Sequence, residues 1–140
     1  PLLFMLHVAY ALVPAGLLAA AAVPFGLLEP AAPVHILGIG AIGGMTLAVM
    51  IRATMGHSGR PLRAGPMLTL SFGLILAATA MRFLGAAPLA LGWDGTTAAA
   101  CLWSVGFALV LAKIGPWLVS PKTARKQVST PQSQTPYRKT

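Results

Sequence analysis

Four stretches of this chain contain no Lys, Arg, Asp or Glu, and each is long enough to matter: residues 1–28, 30–51, 64–81 and 95–112. A helix needs about 20 mainly apolar residues to cross a bilayer, and 18 is a working threshold. A soluble domain carries about 25% charged residues, whereas this chain carries 9% charged and 56% hydrophobic residues. That deficit cannot furnish a water-facing surface. The expected fold is therefore all-α: a polytopic membrane bundle of four transmembrane helices, with spans near residues 2–27, 34–55, 65–84 and 95–118. Pro14 and Pro24 should kink or end the first span, which is tolerated in membranes because neighbours re-satisfy the freed backbone groups.

The segments between the spans set the orientation. After Ser120 the sequence becomes polar, Pro-containing and basic, a composition that cannot bury a core. Residues 120–140 are accordingly expected to form a disordered cytoplasmic tail, separate from the bundle of residues 1–119. Arg60 and Arg63 lie between spans two and three, and Lys122, Arg125, Lys126, Arg138 and Lys139 lie in the tail. Four spans put both groups on one side, which the positive-inside rule makes cytoplasmic. The two acids, Glu29 and Asp94, fall on the other side. Arg82 either snorkels or pairs with Asp94 there. Because the basic residues form loops and a tail rather than a stripe on a folded face, nucleic acid is not an expected partner; the lipid bilayer is.

Gly38, Gly40 and Gly43 spell GxGxxG, the pattern of a dinucleotide loop. That loop requires a preceding strand and an acid about 20 residues further on. Here no acid occurs between Glu29 and Asp94, and the pattern lies inside a run long enough to span a membrane. Helical spacing explains the glycines better. At 100° per residue Gly40, Gly44, Leu47 and Ile51 share a face, and Gly40 with Gly44 forms the GxxxG spacing that lets membrane helices approach closely. His35, Ile42, Thr46, Val49 and Ala53 fall on the opposite face.

Candidate ligands are few. The single cysteine, Cys101, rules out an internal disulfide and a cysteine-only metal cluster, and its apolar surroundings suggest a packed hydrophobe. The three histidines, His7, His35 and His57, all flank or enter spans. Polar groups at membrane depth suggest function, and neutral imidazole is a common ligand for haem iron and copper. Hydrogen bonding to a neighbouring helix is the structural alternative for each. His35 and His57 lie 22 residues apart, roughly 33 Å along a helix, so they cannot share a metal. His7 and His57 could belong to one cytoplasmic-side site, though not at equal depth. Met45, Met50 and Met55 are possible thioether donors to Cu(I). No arrangement of side chains alone suggests a catalytic site.

The string HILGIGAIGGMTLAVMIRATMGHSGRPL, His35 to Leu62, closely resembles the signature of the NnrS family. LHVAYALVPAGL upstream and WSVGFALVLAKIGPWLVSP downstream are similar to its flanking segments. The resemblance implies haem and copper as cofactors. It also implies a role around nitric oxide, in denitrification or nitrosative-stress tolerance, in the bacterial inner membrane. It further implies that the chain is the C-terminal portion of a longer protein, partnered by the remaining N-terminal spans. Carried over by position, the resemblance makes His7, His35 and His57 metal-ligand candidates. It makes Arg60, in the GHSGRP element, a candidate partner for a haem propionate. Two other readings stay open: a transporter or permease fragment with proton-relaying histidines, and a structural membrane anchor.

Overall fold

A computed structural model describes residues 2–84 and 94–119. The expected tail, residues 120–140, lies outside the described residues. Helix α1 covers Leu2–Ala22 and runs on into a 3-10 turn, Val23–Phe25. Pro14 sits within α1, while Pro24 falls in the 3-10 turn where the α-helix stops. Helix α2 covers Ala31–His57, α3 Pro66–Leu84 and α4 Gly95–Val119. Four helices are thus long and apolar enough to cross a membrane, at nearly the expected positions. No strand element occurs among the described residues.

The order of packing follows the order of the chain. α1 lies on α2, α2 on α3, and α3 shares its most extensive contact with α4. Met5 of α1, Leu47 and Ile51 of α2, and Leu68 and Ile75 of α3 are fully buried at the centre. Many other large apolar side chains lie outside, including Phe4, Leu18 and Leu111. In water that exterior would be a liability, but facing lipid it costs nothing. Lipid tails are as apolar as leucine, so helix association relies on close packing.

Small residues supply that closeness. Gly40, Gly44, Leu47 and Ile51 are all buried, as their shared face required. A Cβ on Gly40 would stand 2.7 Å from Leu12 Cδ1 and 3.0 Å from Thr79 Cγ2. On Gly44 it would stand 3.1 Å from Ala9 Cβ. Gly106 does the same between α4 and α3, where a Cβ would meet Ser71 O at 3.2 Å. By contrast, Gly38 has open space around it.

Two expectations need correction. Cys101 is exposed, on the outside of α4 rather than packed within; a small apolar thiol facing lipid gains little by burial. His35 is half-buried and turned towards α3 instead of sharing the exposed face of Ile42, Thr46, Val49 and Ala53. The cause is a π-helical stretch, Ile36–Gly43, between the α-helical parts Ala31–His35 and Gly44–His57. Its i→i+5 bonds put an extra residue into each turn. His35, on the N-terminal side of this stretch, is therefore rotated away from an α-helical extrapolation, while Gly40 and Ile42, close to Gly44, keep their expected faces.

Candidate functional site

The three histidines occupy three separate places. His7 lies on the exposed side of α1, where its Nδ1 stands 2.7 Å from the carbonyl oxygen of Leu3. A carbonyl only accepts, so Nδ1 carries the hydrogen and donates it. Nε2 of the neutral ring is then left with its lone pair. The ring lines a cleft of about 370 Å³ together with Leu6, Tyr10 and Met45. A metal-binding histidine usually has this arrangement, its second nitrogen fixed by a carbonyl or carboxylate. Among the methionines, Met45 lines the His7 cleft, while Met55 is buried in the core.

His57 is the last residue of α2 and is exposed. It lines a shallow cleft of about 290 Å³ with Val49, Arg52, Ala53, Gly56 and Leu62. The sequence GHSGRP explains the geometry. Gly59 has φ +70°, the left-handed conformation that favours glycine at a helix end. Gly59 N–H donates to Gly56 O at 3.3 Å and Arg60 N–H to Met55 O at 3.0 Å. These are the two bonds of a Schellman cap, and they fix where His57 and Arg60 emerge. A substitution of Gly59 by alanine is expected to cost about 1–2 kcal/mol through its left-handed conformation. Gly56→Ala, with nothing within 4 Å, is expected to be neutral or stabilising. Thermal unfolding of both variants in detergent checks this difference.

Arg60 lies with its guanidinium carbon 4.7 Å from the centre of the Trp117 ring, and Lys113 Nζ lies 5.9 Å from the same ring. Cation–π attraction of about 0.5–1 kcal/mol per exposed pair thus ties the loop after α2 to the end of α4. Arg60 Nε is buried without a hydrogen-bond partner among the described residues.

His35 is differently engaged. Arg82 Nη2 donates to His35 Nε2 at 2.8 Å, and Arg82 Nη1 donates to Thr96 Oγ1 at 2.8 Å. A guanidinium has no lone pair to offer, so His35 Nε2 is the acceptor and Nδ1 holds its hydrogen. The ring lone pair that a metal would use is taken. Beyond the expected snorkelling or approach to Asp94, Arg82 bridges α2 and α4 through these two bonds. The signal was available in the span order: His35 lies near the start of α2, Arg82 in the last turn of α3 and Thr96 in the first turn of α4, so all three reach one end. Asp94 caps its own helix, accepting from Thr97 N–H at 2.6 Å. That bond, and more weakly the nearby Arg82, holds its carboxyl below the usual range. The cap's contribution is present above the ordinary aspartate pKa and fades as pH falls through the lowered value.

Among the described residues no group of three His, Cys, Asp or Glu side chains could hold a metal ion together. The donors are lone imidazoles, one of which lines a cleft together with a thioether. Haem iron fits a lone imidazole, since the porphyrin fills four positions and one proximal histidine is enough. Cu(I) fits the imidazole–thioether pair. An apolar groove of about 550 Å³ between α1 and α3 is lined by Val8, Leu12, Ile36, Leu76 and Phe83 among others, with no imidazole in its described lining.

Four apolar helices in sequential contact, with histidines at both ends of α2 and on α1, define a multi-pass helical membrane protein. Within that class the chain belongs to the NnrS family, whose model, described as NnrS protein, matches residues 1–122. No curated protein and no solved structure matches the chain.

Proposed function

We propose that this chain acts in a membrane protein that binds haem and copper and serves the response to nitric oxide, in denitrification or in nitrosative-stress tolerance. The observation that carries the proposal is His7: its Nδ1–H is committed to Leu3 O, and its ring lines a cleft with the Met45 thioether. Family membership supplies the context. His7 and His57 are the two exposed imidazoles and would hold the metals, at separate positions. Arg60, two residues beyond the helix cap and held over Trp117, is the cation that the resemblance offers a haem propionate at the His57 end. His35 organises Arg82 instead. The bacterial inner membrane is the proposed location, with the Arg60 loop and the C-terminus in the cytoplasm because basic loops stay inside.

Bound haem iron would supply an open coordination position for a diatomic ligand. What the chain's own residues do is hold and orient the ligand: Leu6, Tyr10 and Met45 line the His7 cleft, and the backbone of Leu3 keeps its imidazole in one tautomer. Anaerobic titration of the reduced full-length protein with nitric oxide tests the role. A saturable shift of the haem absorption band is expected. Haem-loaded protein whose spectrum nitric oxide leaves unmoved would overturn it.

A further inference from the structure

The end of the bundle opposite His57 carries a second built site. Arg82 spends one hydrogen of each Nη on Thr96 and His35. Its Nε–H and the second hydrogen of each Nη remain. No carboxylate lies in salt-bridge contact with this guanidinium among the described residues, and Asp94 is turned to its helix cap. Arg82 therefore brings a positive charge, held in place by two neutral acceptors from two other helices. It lines a cavity of about 460 Å³ with Gly38, Ile39, Thr96, Ala99, Trp103 and Ser104. Trp103 is braced by Phe107, with ring centroids 4.6 Å apart.

Two features narrow the ligand. The guanidinium fork suits a phosphate or carboxylate oxygen pair, and Ser104 adds a hydroxyl donor. The volume far exceeds a bare oxyanion, and the remaining walls, Ile39, Ala99 and Trp103, are apolar. The occupant should therefore carry an anionic group on an apolar body. Arg82 and Thr96 lie near the ends of α3 and α4, the level of lipid headgroups where such helices cross a bilayer. We infer that the Arg82–Thr96 cavity binds the phosphate of an anionic lipid headgroup. His35 is a positioning residue there, its Nε2 holding Arg82 in orientation.

The experiment uses the full-length protein with every tryptophan except Trp103 replaced by phenylalanine. Trp103 fluorescence is read in neutral phosphatidylcholine nanodiscs as brominated phosphatidylglycerol is added. Saturable quenching is expected, with the half-saturating fraction rising about tenfold or more in Arg82→Gln. Arg82→Lys, which keeps the charge and loses the fork, should fall between. Arg63→Gln, in the loop after α2 at the other end of the bundle, should match the parent. Equal quenching by brominated phosphatidylcholine, or by Arg82→Gln and its parent, would overturn the site. Displacement of the lipid by millimolar inorganic phosphate would assign the cavity to free oxyanions and overturn the lipid proposal. If Arg82→Gln fails to fold, Thr96→Val carries the same comparison: weakened quenching supports the site and unchanged quenching overturns it.

Discussion

His7→Ala is expected to strip the full-length protein of one of its metal centres, with at least a tenfold fall in occupancy. Loss of an outer-shell partner alone typically costs 10–100-fold in metal affinity, and this change removes the ligand itself. His57→Ala should deplete a different centre, because the two imidazoles line separate clefts. His35→Ala should leave metal content unchanged, since its Nε2 accepts from Arg82. Metal analysis and optical spectra of the three variants check the pattern. Met45→Leu sharpens it by keeping the volume of the cleft while removing the thioether. If copper is bound at His7, this variant should lose it and retain haem.

The second large effect concerns folding. Gly40→Leu is expected to destabilise the bundle by about 3 kcal/mol, the upper part of the usual range for overpacking. The first added carbon already meets Leu12 at 2.7 Å and Thr79 at 3.0 Å, so α2 would have to part from both α1 and α3. Gly38→Ala, two residues away and with open space around it, should be close to neutral, because nothing obstructs the added methyl. Unfolding of both variants in mixed micelles measures the contrast. Equal effects would mean that the glycines act through the backbone alone.

The four spans were legible in the sequence because uninterrupted apolar length is a one-dimensional signal. The close-packed face of α2 was legible too, as small residues four apart need no knowledge of their neighbours. His35 was misplaced because the α-helical rule of 100° per residue does not hold through Ile36–Gly43, where the helix is π. Glycines permit that conformation, but nothing in their spacing announces it. The Arg82–His35 hydrogen bond joins residues 47 apart. It emerges only when helix order and end-to-end level are combined. Gly59 illustrates the opposite case: GHSGRP reads as a helix stop, and the Schellman bonds to Gly56 and Met55 are what make it one. The tautomer of His7 lay beyond sequence, because it depends on where the Leu3 carbonyl points.

The most direct measurement is the iron and copper content of the full-length protein purified in detergent, read beside its optical spectrum. A Soret band, with iron and copper well above background and diminished in His7→Ala or His57→Ala, is the expected result. No Soret band, with both metals at background, would contradict the haem–copper proposal.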